Sequence, residues 1–410
     1  MPDQLQLSFV SFKKDAYIVV EGKRNADRFF IIHEGKVGIS KEVEVVVEAG
    51  RKVLGPGDFI GVVSSMSSHS HIETAKALTD VVLISVQKEQ YGELIQRNSP
   101  VAMKIILEFS KRLRYLDEAL SRITLKNTSY SEPSHLFTVA EFYAIQGRYA
   151  QALYSYAMYL KYCPYGSGGG IAKDQIKKLA IHAKGIKLSF GPSEFNRTYL
   201  KDSMIFAEGE PGEELFIIQK GSVTITKIVD DQEILLAVLK SGDIFGEMAL
   251  LEAKPRAASA VAHEECQVLA VNRANFEQMI KTQPQLIARL TTLLAERIWF
   301  IYKQLANTLI INTVGRMYDI LLIQLEKNRV PLDSNAPYTF DFSPKELASM
   351  VGIPPKDANI MLRKMLDNRK IIVDGEKIST LTIGEIVKQT EFYRKMQKID
   401  ASRKERSISG

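Results

Sequence analysis

The stretch LFIIQKGSVTITKI, at Leu215–Ile228, decides the fold, because a close copy of it, FFIIHEGKVGISKE, occupies Phe29–Glu42. In both copies short apolar runs are broken by Gly, a pattern typical of hairpins in a small antiparallel barrel. Further along, Gly61 matches Gly246, and from there the copies align without a gap at an offset of 185 residues (246 minus 61). A spacing this long predicts two duplicated domains rather than a solenoid.

Each copy leads into a long amphipathic helix. Apolar residues at helical spacing predict the first helix from about Val101 to Leu125 and the second from Gln285 to about Asn307. Each helix follows a proline, Pro100 or Pro284, and proline is favoured in the first turn of a helix.

The segment between the two copies differs from them in composition. AEFYAIQGRYAQALYSYAMYLKYCP, at Ala140–Pro164, spaces small and aromatic residues as in one tetratricopeptide-type helical hairpin, with Gly147 at the turn. Because such units usually need about three copies to be stable alone, we expect this one to pack on a neighbouring domain. It would serve either as a structural spacer or as a groove that docks a partner. The low-complexity segment YGSGGG, Tyr165–Gly170, predicts a flexible hinge.

The motif with the clearest chemistry is GDIFGEMALLEAKPRAASA, at Gly242–Ala260. It predicts a short helix that starts at Gly246, where free backbone N–H groups and the helix dipole favour an anion. Glu247, in the first turn, can accept hydrogen bonds from a sugar hydroxyl. Arg256 can hold a phosphate through two parallel hydrogen bonds. The motif therefore predicts a site for a ligand with both groups.

Set between the hairpins of a repeated barrel, this motif resembles the phosphate-binding cassette of cyclic-nucleotide-binding domains of the catabolite activator protein type. The resemblance implies that Glu247 holds the ribose 2′-hydroxyl and that Arg256 holds the cyclic phosphate. Relatives that select cGMP often carry Thr after the arginine, whereas Ala257 stands here, so cAMP is favoured over another cyclic nucleotide. The expected ligand-binding residues are Gly246, Glu247, Met248, Ala249, Arg256, Ala257, Ala258 and Tyr302.

Tyr302 enters this set because the family covers the nucleotide base with residues of the following helix. In this chain that helix offers Trp299, Phe300 and Tyr302. Stacking on an aromatic ring or a contact with the tyrosine hydroxyl would serve this purpose. Ordinary helix packing is the alternative interpretation of these aromatic residues.

The first copy departs from the motif at both critical positions. The ungapped alignment puts Val62 at the position of Glu247 and His71 at that of Arg256. Histidine has an unperturbed pKa of about 6.5, so this copy lacks a fixed positive charge there. We interpret it as a degenerate pocket with a structural or dimer-contact role. The weaker alternatives are a pH-sensitive anion site at His71 and a metal held by His69 and His71, which no carboxylate cluster accompanies.

The last hundred residues have the pattern of a winged helix. TVGRMYDILLIQLEK, at Thr313–Lys327, predicts an amphipathic helix, and Ser343 with the glutamate three residues later predicts a capping box at the start of a second one. A third helix is expected to start near Pro355. KIIVDGEKISTLTI, at Lys370–Ile383, holds two apolar runs around Asp374–Gly375, which is a strong hairpin signal.

In order and spacing these elements resemble the DNA-binding domain of the catabolite activator family, whose second helix of the helix-turn-helix enters the major groove. Lys356 and Asn359 would then contact base edges, and Arg363 and Lys364 would contact phosphates. Asp357 is unfavourable there because phosphates would repel its carboxylate. The domain is therefore interpreted as DNA-binding, with a protein-interaction module as the alternative.

Composition restricts the class of protein. A chain of 410 residues and 46.1 kDa exceeds one compact domain, and a net charge of +6 is compatible with nucleic acid without requiring it. No apolar run approaches the length of a membrane span, the N-terminus MPDQLQLSFVSFKKD lacks the pattern of a secretory signal, and two cysteines form no disulfide framework. We therefore expect a cytoplasmic protein without membrane contact.

These observations predict an α+β chain with two double-stranded β-helix (jelly-roll-like) cyclic-nucleotide-binding domains, a tetratricopeptide-like helical insert and a C-terminal winged helix-turn-helix. In chain order the degenerate domain, the insert with its linker, the ligand-binding domain, the winged helix and a basic tail are expected at 1–126, 127–190, 191–307, 308–391 and 392–410. The basic tail, FYRKMQKIDASRKERSISG, is expected to be disordered.

The predicted function is that of a cAMP sensor and transcription regulator. No motif suggests catalysis, a cofactor or a bound metal, so we expect no enzyme. The chain would be a homodimer through the Gln285–Asn307 helix, which would relay ligand binding to the winged helix and DNA by a two-state mechanism. The alternative is a cAMP-binding regulatory or scaffold protein whose helical insert and winged helix bind protein partners.

Overall fold

A computed structural model describes residues 7–24, 26–41, 52–125, 132–182, 195–229, 232–353, 355–366, 371–375 and 377–408. These residues divide into two compact units, each of which combines segments that lie far apart in the sequence. The first unit holds the described residues of Gln87–Arg122 and Asn127–Leu294, and the second holds those of Leu7–Val86, Ile123–Lys126 and Ala295–Gly410. The boundaries of the five domains expected from the sequence stay a prediction.

The first repeat forms two antiparallel sheets in the second unit. Its elements are β1 (Ser8–Phe12), β2 (Tyr17–Val19), β3 (Arg28–Glu34), β4 (Val37–Ser40), β5 (Val53–Leu54), β6 (Phe59–Ile60), α1 (Val62–Ser67), β7 (Thr74–Ala77) and β8 (Val81–Gln87). Within the described residues the strand orders are β1-β8-β3-β6 and β2-β7-β4-β5. Ile32, Val37 and Leu83 are buried in one core between strands of both sheets.

The long helix that follows the first repeat belongs to the other unit. After a 3₁₀ turn (Lys88–Gln90) come α2 (Tyr91–Arg97) and α3 (Ser99–Leu125), which confirms the helix predicted from about Val101. Ser110 Oγ and Arg114 Nε donate to the carboxylate of Glu252, at 2.8 and 3.0 Å. Since Glu252 belongs to the second repeat, α3 packs on the repeat that it does not directly follow.

The segment between the repeats is helical, with α4 (His135–Ile145), α5 (Tyr149–Tyr162) and α6 (Gly169–Ala180). Gly147 has a φ of 71° at the turn between α4 and α5, so the predicted helical hairpin is confirmed. Leu136 and Tyr156 share a buried cluster with Met204 and Ile228 of the second repeat. The insert therefore packs on a neighbouring domain, as expected from its small size.

The glycine-rich segment Tyr165–Gly170 differs from the flexible hinge predicted for it. A Cβ at position 166 would lie 2.1 Å from Tyr159 Oη, and one at position 168 would lie 2.7 Å from the ring of Phe137. The backbone N–H of Gly168 also donates to Tyr159 Oη at 3.1 Å. Glycine is needed at positions 166 and 168 because the chain passes close to aromatic side chains there, and the segment leads directly into α6, which begins at Gly169.

The second repeat lies in the first unit and has the same order of strands and helix as the first repeat. Its elements are β9 (Asn196–Tyr199), β10 (Met204–Phe206), β11 (Glu214–Lys220), β12 (Ser222–Val229), β13 (Gln232–Lys240), β14 (Ile244–Phe245), α7 (Glu247–Glu252), β15 (Ser259–Ala262) and β16 (Cys266–Asn272). The orders β14-β11-β16-β9 and β10-β15-β12-β13 match those of the first repeat strand by strand within the described ranges. The duplication predicted from LFIIQKGSVTITKI is therefore confirmed at the level of sheet topology.

Two helices follow this repeat, α8 (Arg273–Thr282) and α9 (Pro284–Thr308). The helix predicted from Gln285 to about Asn307 is confirmed, one residue longer at each end. Leu290, Ile298 and Leu305 are each at most 1% exposed. The apolar face of α9 is thus covered within a single chain.

The C-terminal segment has α10 (Thr313–Lys327), β17 (Tyr338–Phe340), α11 (Pro344–Met350), α12 (Pro355–Leu366), β18 (Ile371–Asp374), β19 (Lys377–Thr380) and α13 (Ile383–Ile408). Its predicted helices and hairpin are present, and Ser343 and Glu346 form the expected capping box, with hydrogen bonds of 2.6 and 3.2 Å. Asp374 pairs with Lys377, so it ends β18 rather than standing in the turn.

Most of the basic C-terminal segment, which was expected to be disordered, is helical, since α13 continues to Ile408, the last described residue. Its first residues pack on α10: the ring of Tyr393 stacks on that of Tyr318, and Arg394 Nε donates to Asp319 at 2.9 Å. The high charge of the segment predicted disorder. Composition does not show that one aromatic residue and one arginine bind the start of the segment to α10. No helix among the described residues is long and apolar enough to cross a membrane.

Candidate functional site

The candidate site is built around the turn that starts α7. Gly246 caps this helix with a φ of 75°, a left-handed conformation that side chains rarely adopt. A Cβ here would lie 2.7 Å from Arg256 Nη1. Both the conformation and the close approach therefore require glycine. Glu247 follows in the first helical turn, as the motif predicted, and is only 2% exposed.

Arg256 lies against this turn. Its Nη1 donates to the carbonyl oxygen of Gly246 at 2.6 Å, and its guanidinium carbon lies 4.2 Å from the ring centre of Phe206 and 5.6 Å from that of Phe216. The side chain is 6% exposed, and its buried Nε has no hydrogen-bond partner among the described residues. Burial lowers the pKa of Arg256, although nearby carboxylates, Glu210 first, oppose this effect.

A loop between β10 and β11 holds the arginine from the other side. The backbone N–H of Arg256 donates to the carbonyl oxygen of Glu210 at 2.8 Å, and the N–H of Gly209 donates to the carbonyl oxygen of Arg256 at 2.9 Å. A Cβ at Gly212 would lie 2.5 Å from Arg256 Nε. The loop thus packs directly against the guanidinium and restricts its position.

Sequence reasoning missed Glu210. Its carboxylate is buried beside Arg256 and accepts hydrogen bonds from the N–H of Ala207 at 3.0 Å and from the hydroxyl of Tyr154. Burial raises the pKa of Glu210, and the charge of Arg256 acts in the opposite direction. The run AEGEPGEEL placed several acidic residues together without indicating which one is buried. Only packing by the distant α5 distinguishes it.

The remaining cassette residues surround this centre. Met248 and Ala249 are buried in α7, and Ala257 and Ala258 follow Arg256 and are half-buried. Ala249 Cβ lies close to Gly212. The structure therefore brings together seven of the eight predicted ligand-binding residues, which lie at the start of α7 and in the segment just before β15.

Tyr302 is the eighth and belongs to the other unit, with the first repeat. Its hydroxyl donates to Glu21 at 3.3 Å, and Lys41 Nζ lies 4.9 Å from its ring centre. The neighbouring Trp299 stacks on His69, with ring centres 4.0 Å apart. These aromatic residues pack on the first repeat, and the role of Tyr302 over a ligand at Arg256 stays a prediction.

The first repeat has the same turn with different side chains. Gly61 caps α1 with a φ of 75°, and a Cβ there would lie 3.4 Å from the imidazole of His71. His71 and Val62 are both buried. No group of three or more His, Cys, Asp or Glu side chains suited to a metal occurs in the described part of the chain, so His69 and His71 have no further ligand of those types beside them.

The residues predicted to contact DNA lie on α12. Lys356 and Asn359 are in its first half, and their side chains lie outside the described residues. Arg363 and Lys364 are exposed near its C-terminal end. Ile360, between the two pairs, is 54% exposed. The described side chains of this helix thus present one apolar and two basic groups to solvent.

Comparison with known proteins identifies the family of both repeats. The family model for the cyclic nucleotide-binding domain matches residues 9–98 and 196–283. Each repeat therefore matches this domain, and together the two matches cover less than half of the chain. The chain is also 28% identical over 175 residues to the CRP-like cAMP-activated global transcriptional regulator of Mycobacterium tuberculosis H37Rv, a match that covers 78% of that regulator and 42% of this chain.

Two solved structures complete the comparison. The catabolite activator protein of Thermus thermophilus is 25% identical, with a TM-score of 0.28, over 48% of this chain and 90% of the other. The EAL enzyme Bd1971 is 35% identical, with a TM-score of 0.22, over 25% of this chain and 94% of the solved one. More than half of this chain lies outside each of these matches.

Proposed function

We propose that the protein is a cAMP sensor and transcription regulator that binds its ligand in the second repeat. The observation that carries this proposal is the buried guanidinium of Arg256, held against the turn formed by Gly246 and Glu247. Burying a charge is costly unless a partner compensates it. A cyclic phosphate is such a partner, because arginine forms two strong parallel hydrogen bonds with phosphate oxygens.

The residues around Arg256 fit the rest of the ligand. Glu247, at the start of α7, would accept a hydrogen bond from the ribose 2′-hydroxyl. Met248, Ala249, Ala257 and Ala258 would line the phosphate and ribose with small or apolar surface. Ala257 in place of threonine favours cAMP over cGMP, and the name of the M. tuberculosis relative includes activation by cAMP. Tyr302 is kept as a proposed contact for the base.

The response would be read out at the C-terminus. We assign the two repeats as double-stranded β-helices, α4–α5 as a tetratricopeptide-like hairpin and the segment from α10 to β19 as a winged helix-turn-helix. In this assignment α12 enters the major groove, with Lys356 and Asn359 at base edges and Arg363 and Lys364 at phosphates. The protein would act in the cytoplasm, bound to no membrane.

The assembly is a separate part of the proposal. A homodimer through Gln285–Asn307 was expected, and dimeric half-sites are the usual way in which such domains read DNA. The burial of Leu290, Ile298 and Leu305 within one chain argues against the apolar face of α9 as the dimer contact. A homodimer would have to use the exposed face of this helix or another surface.

A second candidate function is a cAMP-binding scaffold whose α12 and helical insert contact proteins. The observation that favours it is the exposed Ile360 on α12, together with Asp357 earlier in the same helix. An apolar side chain suits a protein interface, and a carboxylate would be repelled by phosphates. In this case the cyclic nucleotide would still bind at Arg256.

Calorimetry and DNA binding test the two candidates together. Titration of the full chain with cAMP and cGMP is expected to show binding with preference for cAMP. A gel-shift series with and without cAMP should then show DNA affinity that depends on cAMP and falls steeply with salt, because phosphate contacts release counterions. Clean cAMP binding without DNA binding would support the scaffold. Absence of binding to either nucleotide would overturn the proposal.

A further inference from the structure

Three buried tyrosines of the helical insert each donate a hydrogen bond to a glutamate. The pairs are Tyr143–Glu233, Tyr154–Glu210 and Tyr156–Glu141. Two of these glutamates have no place in the candidate site, since one lies in α4 and the other at the start of β13. The third, Glu210, lies in the loop that holds Arg256.

Tyr154 closes that loop from outside the repeat. Its hydroxyl lies 3.0 and 3.2 Å from the two carboxylate oxygens of Glu210 and 3.2 Å from the carbonyl oxygen of Ile205. The N–H of Ala207 donates to the same carboxylate at 3.0 Å. A tyrosine of α5 thus joins the end of β10 to the loop that follows it.

The same loop sets the position of the arginine. Two backbone hydrogen bonds tie Arg256 to positions 209 and 210, and Gly212 lies against its guanidinium. The Glu210 carboxylate is also the first of the nearby charges that act on the buried arginine. A movement of Glu210 would therefore change both the backbone position of Arg256 and the electrostatic field at its guanidinium.

We propose that Tyr154 is a positioning residue for Arg256, acting through Glu210, and that the helical insert thereby sets the affinity of the second repeat for its cyclic nucleotide. The inference rests on the proposed function, in which Arg256 binds the phosphate. When the tyrosine hydroxyl holds Glu210, the guanidinium is available to phosphate. Without the hydroxyl, the carboxylate turns to Arg256, the cation that acts on it most strongly, and competes with the ligand.

The chain offers a matched control for this effect. Tyr156 lies two residues away in α5, is fully buried and donates to Glu141 inside the hairpin. Tyr154→Phe and Tyr156→Phe each remove one hydroxyl bonded to a carboxylate, so both should lower stability by similar amounts. Only Tyr154→Phe alters a glutamate that adjoins the phosphate site.

The experiment measures cAMP and cGMP binding by calorimetry and urea unfolding by circular dichroism on the full chain. We expect Tyr154→Phe to weaken cAMP binding about tenfold, the size of a lost hydrogen bond to a charged group, and Tyr156→Phe to leave it unchanged. Adding Glu210→Gln to Tyr154→Phe removes the competing charge and should restore most of the affinity. A purely structural defect would not be restored in this way.

The other outcomes overturn either the inference alone or the proposed function as well. Unchanged cAMP affinity in Tyr154→Phe, equal losses in both tyrosine variants, or no recovery with Glu210→Gln would overturn the inference while the proposed function stands. If the unaltered chain binds neither cAMP nor cGMP, the proposed function fails and the inference fails with it. The titration of the unaltered chain therefore separates the two failures.

Discussion

In the second repeat the backbone of Arg256 makes two hydrogen bonds with residues 209–210, at 2.8 and 2.9 Å, and in the first repeat the backbone of His71 makes the same two bonds with residues 22–23, at 2.9 and 2.8 Å. The helices beside them, α1 and α7, each start at a glycine with a φ of 75° and end at a residue in the left-handed conformation. The duplicated sequences therefore preserve one backbone frame, whatever side chains it carries.

The side chains on that frame differ in charge and in cover. The backbone of Arg256 is hydrogen-bonded to that of Glu210, and the buried carboxylate of Glu210 accepts a hydrogen bond from Tyr154 of α5. The equivalent loop of the first repeat carries Lys23, which is exposed, and His71 takes the place of the arginine. Because the frame is the same, the difference in ligand binding is expected to come from a few side chains and from the insert. The predictions below compare equivalent positions of the two repeats.

The largest expected effect concerns the ends of α1 and α7. Arg114 of α3 donates to the carboxylate of Glu252 and to the carbonyl oxygen of Pro255, and the Arg114–Glu252 pair is almost fully buried. At the equivalent end of α1, Ser67 accepts from Arg329 at 3.4 Å, and that arginine is 57% exposed. The second repeat is thus held by a buried ion pair and the first by a weak, exposed contact.

Arg114→Ala should lower the free energy of unfolding by about 3 kcal/mol, because it leaves the buried carboxylate of Glu252 with only the half-exposed Lys254, 3.6 Å away, as a cationic partner. Arg329→Ala should change it by about 0.5 kcal/mol or less, since exposed pairs contribute little. Urea unfolding followed by circular dichroism measures both. Equal effects would mean that the two cassettes are held equally, and the comparison would fail.

The next effect concerns ligand binding. Arg256→Ala should cost about 1.5–3 kcal/mol or more of cAMP binding, since a charge-assisted hydrogen bond is lost. His71→Ala, at the equivalent position, should leave cAMP binding within error. Calorimetry on both variants gives the result directly. Normal cAMP binding by Arg256→Ala would remove the second repeat as the binding site.

A smaller effect tests the space beside each glycine. Gly246→Ala meets both the left-handed backbone and a contact of 2.7 Å with Arg256, whereas Gly61→Ala meets the same backbone with 3.4 Å to His71. The conformation alone costs about 1–2 kcal/mol, so both variants should be destabilised and Gly246→Ala more so. It should also weaken cAMP binding, because the added methyl group displaces the guanidinium. A greater loss of stability in Gly61→Ala would contradict the comparison.

Sequence reasoning predicted the parts of this molecule that depend on local pattern. The repeat, the two long helices, the glycine turn at Gly246 and the capping box at Ser343 follow from spacing and from backbone conformation, which neighbouring residues determine. The same reasoning placed Arg256 beside the start of α7, because the motif itself contains both.

What the sequence could not predict depends on contacts between distant segments. Tyr154 and Glu210 are 56 residues apart, and no local pattern in either stretch indicates that they meet. The grouping of α3 with the second repeat depends in the same way on Arg114 and Glu252. Tyr302 was assigned to the second repeat by chain order, whereas its described contacts are with Glu21 and Lys41 of the first.

The smallest expected effect is the pH dependence that Glu210 contributes. Burial raises its pKa in the folded state above 4.5, the ordinary value. The folded chain then binds this proton more tightly than the unfolded chain does, so stability from this group is complete below about pH 4.5 and is lost as the pH rises through the raised pKa. The hydrogen bond from the Ala207 N–H, the charge of Arg256, the hydrogen bond from Tyr154 and the charge of Lys161 lower the pKa and so limit the shift.

Glu210→Gln removes this titration and keeps the shape of the side chain. As the pH rises from about 4.5 towards 8, the unaltered chain should therefore lose stability relative to Glu210→Gln. Lys23→Gln, at the exposed equivalent position of the first repeat, is the control and should show no such trend, because it removes no buried carboxylate. A difference that is flat with pH for Glu210→Gln would show that the hydrogen bonds from Ala207 and Tyr154 and the charges of Arg256 and Lys161 fully offset the cost of burial. The two repeats would then differ in the charge at this position, but that charge would carry no net cost in folding free energy.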